Sequence, residues 1–312
     1  MSLRQQLEFV LLAAVWGASF LFMRVSAPEF GPLPLMLVRC AVGAVVLLPI
    51  AATRQGGRRL AVDAKAHGGA VLMAGVLNSA IPFAMFGFAA LWLTAGFSSI
   101  LNATAPIFGA IVGYFWFRDR LTAWRAAGLA IGIAGVVVLS WDKVSFREGD
   151  GGGWAVLACL AATFCYGIAG NFAKRHLTRI DPLTVAAGSQ VGAAMVLLPP
   201  GLALWPVAAP SGPAWAAALV LGAVCTGLAY VLFFRLIANV SSSAALSVTY
   251  LIPLFGIAWG WIFLSEALEL SMLSGGAIVI LGTVLATGVW SPTTRPPTVA
   301  TAPDEPDNQP RS

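Results

Sequence analysis

Apolar residues run along this chain in long unbroken stretches, separated by short segments that gather charge, proline and glycine. The stretches show neither the two-residue alternation of a half-buried strand nor the polar face of a surface helix. Each is long enough to cross a bilayer, for which about 20 residues suffice. Ten of them predict ten helices, near residues 7–27, 33–53, 67–89, 94–117, 123–141, 154–174, 183–205, 212–236, 241–264 and 271–290. The expected fold class is an all-α polytopic membrane protein. A polar break, Asp142 to Gly153, divides the chain near its middle. Residues 291–312 hold six prolines with Asp304, Glu305 and Asp307 and little to bury, which predicts a disordered tail.

Composition agrees with this pattern. Hydrophobic residues are 59% and charged residues 10% of the 312, at a mean hydropathy of +0.85, where soluble chains carry about 25% charge. A soluble fold would lack polar surface to cover itself. The net charge of +5 does not indicate nucleic acid, because the basic residues lie in short clusters between apolar runs. Those clusters fix an orientation. Arg54, Arg58, Arg59 and Lys65 lie between helices 2 and 3, and Arg118, Arg120 and Arg125 between 4 and 5. Lys174, Arg175 and Arg179 follow helix 6, Arg235 ends helix 8 and Arg295 follows helix 10, while the alternate connections hold only Lys143 and Arg147. By the positive-inside rule both termini face the cytoplasm, in a multi-pass protein of a bacterial inner membrane. The first run, Leu7 to Ala27, follows Arg4 as a signal peptide would, but its length and the spans after it predict an uncleaved helix. Cys40, Cys159, Cys165 and Cys225 all fall in apolar runs, as buried free thiols do.

The chain also resembles itself, at an offset of 150 residues and further along of 147. Trp16-Gly17 answers Tyr166-Gly167, Arg24 answers Lys174, and Pro32-Leu33 answers Pro182-Leu183. Val46-Leu47-Leu48-Pro49 recurs as Val196-Leu197-Leu198-Pro199, and Pro106-Ile107-Phe108-Gly109 as Pro253-Leu254-Phe255-Gly256. Gly113, Asp119, Gly128 and Gly135 answer Gly260, Glu266, Gly275 and Gly282. The expected domains are a first repeat over 1–146, a second over 147–292, and a cytoplasmic tail over 293–312. Five helices per repeat is an odd number, so the second repeat is expected to sit inverted. Inverted repeats point to a carrier in which one half rocks against the other about a midplane site.

Polar residues at membrane depth are costly and therefore informative. All 13 acidic residues fall in loops, tails or helix ends, and His67 and His176 in connections, so no Asp, Glu or His is expected near the midplane. Metal-dependent, Ser–His and paired-Asp chemistry cannot be assembled from this inventory. Neither an enzyme, a metal site nor a cofactor is expected. Proton coupling through a membrane carboxylate is not expected either, which leaves transport down the substrate's own gradient or exchange.

The stretch Trp16-Gly17-Ala18-Ser19-Phe20, Arg39, Pro106, Pro253, and Leu264-Ser265-Glu266-Ala267-Leu268 followed by Gly275-Gly276 and Ile280-Leu281-Gly282 resemble the EamA-type members of the drug/metabolite transporter superfamily. The resemblance covers about residues 5–290, with Asp119 where the first half of the family usually has Glu. Taken whole, the chain is most similar to the YddG-type branch, exporters of aromatic amino acids. The resemblance implies a central cavity, with helices 5 and 10 at the periphery. In the small multidrug relatives an Ala-Glu-Val pattern carries a cation-binding glutamate; here the stretch reads Ala13-Ala14-Val15, without a charge.

What remains at mid-depth is aromatic and neutral-polar: Trp16, Phe20, Asn78, Phe83, Ser99, Asn102, Tyr166, Gln190, Tyr230, Thr249 and Tyr250. Aromatic walls with a few hydrogen-bonding groups suit a small amphipathic molecule, although any one of these side chains could instead serve packing. Arg39 lies well inside helix 2. It is read either as a contact for a substrate carboxylate or, because it sits off the midplane, as a structural group that snorkels or braces carbonyls at a kink. Pro82, Pro106 and Pro253 interrupt helices 3, 4 and 9. Gly109 with Gly113 and Gly256 with Gly260 give close-packing or hinge spacings, and Gly128 with Gly132 suits dimerisation or packing within the chain. The reading is an exporter of aromatic and other neutral amino acids that contacts lipid and a small-molecule substrate. It is taken as a monomer, with a dimer left open. The alternatives are a broad-specificity drug or metabolite exporter and, from another class, an intramembrane enzyme or sensor.

Overall fold

The computed structural model describes residues 2–118, 122–141, 151–240, 245 and 247–287. Among the described residues ten helices are long and apolar enough to cross a membrane: α1 (Leu3–Phe30), α2 (Pro32–Gln55), α3 (Gly57–Ala89), α4 (Ala95–Phe117), α5 (Ala123–Ser140), α6 (Gly152–His176), α7 (Pro182–Ala203), α8 (Gly212–Asn239), α9 (Ser247–Leu264) and α10 (Leu270–Thr287). There is no strand among the described residues. The protein is an all-α, multi-pass membrane protein. Asp119, the polar break from Asp142 to Asp150, the start of the ninth expected helix and the tail lie outside the described residues.

The boundaries follow local chemistry. Ser2 accepts from the Gln5 amide while the Gln5 side chain accepts from the Ser2 N–H, a reciprocal cap on α1. Asp181 and Ser211 cap α7 and α8 through their side-chain oxygens, each followed within two residues by proline at the helix start. The largest departure from expectation is α3, which begins at Gly57, ten residues before the expected start at 67. Arg58, Arg59, Asp63, Lys65 and His67 are therefore helical. Hydropathy marks only the apolar part of a helix, whereas a charged first turn continues it into the interface, where long side chains reach water.

Four spans are discontinuous. Residues Val76–Ala80 of α3 form a π-turn just before Pro82, and Ala223–Leu228 form another in α8, where Thr226 donates back to the Leu221 carbonyl five residues earlier. In α4 the helix breaks at Ala103–Thr104 and resumes at Ala105, with Pro106 in its first turn. In α9 a 3₁₀ turn, Ser247–Tyr250, precedes the helix that carries Pro253. Proline is accommodated in α3, α4 and α9 because the helix restarts there, and a first turn leaves its N–H groups unpaired.

Close approaches between helices come in exchanged pairs. A Cβ on Gly17 of α1 would strike Phe255 and the Gly256 amide of α9, and one on Gly167 of α6 would strike Phe108 and the Gly109 amide of α4. Gly75 of α3 lies on the Ser189 carbonyl of α7, and Gly222 of α8 on the Arg39 carbonyl of α2. The two non-glycine residues with left-handed backbone among those described are Arg118, at φ 56°, and Ser265, at φ 53°, which follow α4 and α9. Gly128 and Gly132 lie against Leu285, Ala286 and Gly282 of α10, while Gly275 lies against Leu139 of α5. The small-residue face of α5 is thus taken up inside the chain. Beyond α10, α5 makes only slight contact with the rest of the bundle, and α10 reaches the bundle mainly through α4, with Thr287 bonded to Tyr250 of α9.

The two ends of the bundle are tied separately. At the end where α1 begins, Glu8 accepts from Arg235 Nη2 at 2.6 Å, and Gln55 donates to Asp181 at 2.5 Å. At the opposite end Arg24 Nη1 donates to the Ala90 carbonyl at 2.7 Å and the Leu91 carbonyl at 3.2 Å, and Glu29 accepts from the Ser211 amide and hydroxyl. Phe30, Leu93 and Phe97 are buried at that second end.

Candidate transport cavity

A cavity of about 830 Å³ lies among the helices, within the range of small-molecule sites. Met23, Arg39, Phe83 and Phe86 lie at its deeper part, and Leu177, Thr178, Pro182, Ser247 and Thr287 at the end where α1 begins. It therefore reaches toward the N-terminal end of the bundle, while the end held by Arg24 and Glu29 is packed. Helix discontinuities surround it: the π-turns of α3 and α8 and the restarts of α4 and α9 each contribute wall residues, among them Asn78, Thr226, Pro106 and Ile252.

Of the side chains expected from depth, Trp16, Phe20, Asn78, Phe83, Asn102, Tyr166, Tyr230, Thr249 and Tyr250 line the cavity. The aromatic walls are braced in pairs. Trp16 meets Phe233 with ring centroids 5.1 Å apart, Phe20 meets Phe86 edge-on at 5.6 Å, and Phe86 stacks on Tyr166 at 6.2 Å. Asn78 Nδ2 donates to the Tyr230 hydroxyl at 2.9 Å, and the Tyr250 hydroxyl shares a 2.8 Å hydrogen bond with Thr287 Oγ1.

Two expected residues do not reach it. Ser99 is fully buried, donates to the Gly96 carbonyl at 2.7 Å and packs on Gly256, on the face of α4 turned to α9. Gln190 is also fully buried and accepts no place on the wall; its amide donates to Ser79 Oγ at 2.8 Å, between α7 and α3. Depth placed both at the right level; the direction around the helix axis, which decides between cavity and helix contact, was not given by depth. Gly109 departs in the other sense. A Cβ on it would meet nothing within 4 Å, so on that side it lines the cavity, whereas Gly256 packs on Ser99 and Gly260 on Glu266.

The structure adds residues that sequence reading missed. Ser19 and Met23 lie one and two turns from Trp16 on the same face of α1, a spacing that marked them once Trp16 was assigned. Asn171 lines the wall and donates to the carbonyls of Gly109, at 3.0 Å, and Gly167, at 2.8 Å.

Arg39 is 6% exposed and lies against the cavity. Its guanidinium sits over the Phe83 ring, 3.6 Å from the centroid, with Nε donating to Thr226 Oγ1 at 3.0 Å and Nη1 directed at Met23 Sδ at 3.7 Å. It neither snorkels outward nor caps a carbonyl. Among the described residues the wall carries no Asp, Glu or His, and Arg39 is its one charged side chain. Nor do the described residues hold a cluster of three or more His, Cys, Asp or Glu that would bind a metal ion.

A ten-helix bundle around a braced, aromatic-lined cavity that reaches one end and is packed at the other defines a membrane carrier. Comparison with known proteins agrees: the profile of the EamA-like transporter family matches residues 6–141 and again 153–288. The chain belongs to that family, and is a transporter, not an enzyme. It is 23% identical to the "Uncharacterized transporter YoaV" of Bacillus subtilis, over 91% of this chain and 97% of that one. It is 26% identical to the "Probable terminal-alkyne amino-acid exporter" of Streptantibioticus cattleyicolor, over 88% and 91%. A solved structure aligns with a TM-score of 0.65 at 18% identity, over 91% of this chain and 97% of that one, and shares the fold.

Proposed function

We propose that this protein exports small amphipathic metabolites, foremost aromatic and other neutral amino acids, from the cytoplasm across a bacterial inner membrane. The observation that carries the reading is the cavity of about 830 Å³, walled by Trp16, Phe20, Phe83, Phe86, Tyr166 and Tyr230 with a few amides and hydroxyls between them. An aromatic side chain fits such walls, and the polar groups of an amino acid meet the few hydrogen-bonding positions. The amino-acid exporter among the relatives is consistent with it, as is the resemblance to the YddG-type branch.

The mechanism we infer is alternating access by two inverted repeats, 1–146 and 147–292. Its support is the double family match, the exchanged glycine contacts, and the paired π-turns and left-handed residues at the same offsets as the sequence repeat. With the termini cytoplasmic, as the Arg and Lys distribution favours, the open end of the cavity faces the cytoplasm, the side from which an exporter loads. The described lining supplies no proton-accepting carboxylate or imidazole, so flux follows the substrate gradient or exchange. A monomer contains the whole cavity.

Counterflow tests the reading. Liposomes holding the purified protein and unlabelled phenylalanine are given a trace of labelled phenylalanine outside, beside protein-free liposomes. Transient accumulation without an ion gradient is the expected result. No accumulation by folded protein removes the amino-acid reading and leaves the broad-specificity exporter, to be tried with drugs and nucleosides.

A further inference from the structure

The cavity holds one fixed cation and, among the described residues, no anion to balance it. Every other group on the described wall is aromatic, aliphatic, amide, hydroxyl, thiol or thioether. The other titratable groups on the described wall, Tyr166, Tyr230, Tyr250 and Cys225, are phenols and a thiol, uncharged at neutral pH by their ordinary ionisation range. A guanidinium does not escape burial by losing its proton. Left alone, a desolvated charge is a heavy cost on the fold. The Phe83 face and Thr226 Oγ1 offset only part of it, and Thr226 occupies one of the five N–H donors.

The side chain is also held in place. It is clamped between Phe83 and Met23 and pinned at Nε, on a stretch of α2 whose Arg39 carbonyl abuts Gly222. A positioned planar fork in a low-dielectric wall is a receptor for a planar anion, and a carboxylate matches it in two hydrogen bonds. Beside it, Ser19 Oγ is buried at 5% exposure with no partner except the Cys225 thiol, and both residues line the cavity.

We infer that Arg39 reads the substrate's carboxylate, and that this group, not the ammonium, qualifies a molecule for transport. The substrate class is then the hydrophobic monocarboxylates, with or without an amino group. The inference rests on the amino-acid reading above and narrows it. It assigns the ammonium to neutral acceptors such as the Asn78, Asn102 and Tyr230 side chains, which take a zwitterion without requiring it. A zwitterion crosses without moving charge, whereas a deaminated acid carries one negative charge per cycle.

The test is competition against phenylalanine counterflow, using phenylpropionate, phenylalaninamide and phenylethylamine. Phenylpropionate is expected to compete within about threefold of phenylalanine, and the two cations at least about thirtyfold more weakly, a difference of the size lost with one charge-assisted pair. A lumen-negative potassium diffusion potential is expected to drive phenylpropionate out of the vesicles and leave phenylalanine unmoved. Arg39→Gln is expected to abolish the preference for carboxylates, and Arg39→Lys to keep part of it. If phenylalaninamide competes as well as phenylalanine, or if folded Arg39→Gln retains the preference, the inference is wrong while amino-acid export stands. If neither phenylalanine nor phenylpropionate exchanges, both readings fall together. The wild-type panel decides the matter even if the variants do not fold.

Discussion

Glu266 closes a circuit that single-residue replacement can open. It follows the left-handed Ser265 at the end of α9 and turns its carboxylate onto the start of α4. Oε1 and Oε2 accept from the Ala95 amide at 2.9 and 3.0 Å, and Oε2 from the Gly96 amide at 3.5 Å, while Thr94 Oγ1 takes the Phe97 amide at 3.2 Å. The first three N–H groups of α4 are thereby satisfied, and a negative charge sits at the positive end of its dipole. Charge-assisted bonds to a half-buried carboxylate, discounted for solvent, contribute about 2 kcal/mol. Glu266→Ala is expected to lose that amount, and Glu266→Gln about 1 kcal/mol, since an amide oxygen still accepts but carries no charge. The link joins α9 to α4 at the packed end, so its loss favours opening there by roughly thirtyfold for Ala. Thiol labelling of Leu93→Cys, 3% exposed beside this contact, reads the opening in a Cys165→Ser background. Labelling of Glu266→Ala at the wild-type rate, with unchanged thermal stability, would refute the capping argument. Labelling of Glu266→Gln at the Ala rate would show that the charge carries everything.

Gly167→Val forces a side chain into the Phe108–Gly109 backbone and is expected to cost about 3 kcal/mol, seen as a lower unfolding midpoint in detergent. Gly109→Ala meets nothing within 4 Å and is expected to leave stability equal or higher by up to about 1 kcal/mol; its methyl enters the cavity, so bulky substrates lose affinity before small ones. Tyr230→Phe removes the acceptor of the Asn78 amide and is expected to cost about 1 kcal/mol in substrate affinity or stability, measured by competition and by thermal unfolding. Phenylalanine counterflow is expected to vary less than about twofold between about pH 5.5 and about pH 8, because the described wall holds no carboxylate or imidazole to titrate across that window; a steep profile with the substrate's own ionisation held constant would overturn gradient-driven transport.

The helices were legible because a bilayer imposes one strong rule, an uninterrupted apolar run, and each of the ten obeys it. Where the rule stops, so did the reading. The early start of α3 at Gly57 is written in Arg58, Asp63 and Lys65, whose charges hide a helix from hydropathy. The π-turn of α8 has no proline to announce it, and its correspondence with the turn before Pro82 in α3 is visible only once both are seen in the structure. Within the cavity, aromatic and amide residues at mid-depth were recognisable as a class, and most line it. Ser99 and Gln190 were not separable from them, because a helix with apolar residues on every side has no polar face from which to read direction. Arg39 was visible as an anomaly, but its neighbours Phe83 and Thr226 come from α3 and α8, and no local pattern joins them.

Arg24 and Lys174, which correspond in the sequence repeat, occupy different environments, and the difference makes the proposed exchange between the halves testable. Arg24 holds the Ala90 and Leu91 carbonyls at the packed end. Its counterpart Lys174, near the open end, instead lies over the Phe117 ring at 4.9 Å. If the halves exchange roles, Lys174 leaves Phe117 for the carbonyls of Ile237 and Ala238, which answer Ala90 and Leu91, as Arg24 releases its own. The bond would exist only in the alternate state and is stronger than the exposed cation–π contact it replaces, so removing the side chain acts mainly on that side of the equilibrium. Lys174→Ala is expected to favour the present conformation by about 1 to 2 kcal/mol, the value of a charged donor on helix-terminal carbonyls. Maximal exchange should slow roughly tenfold while substrate binding in detergent stays within about twofold, the outcome the proposed cavity requires of a change that acts on the alternate state. Arg24→Ala should do the reverse, raising labelling at the packed end. Equal weakening of binding and exchange in Lys174→Ala would place this lysine in the cavity's chemistry, and the exchange of roles between the halves would lose its support.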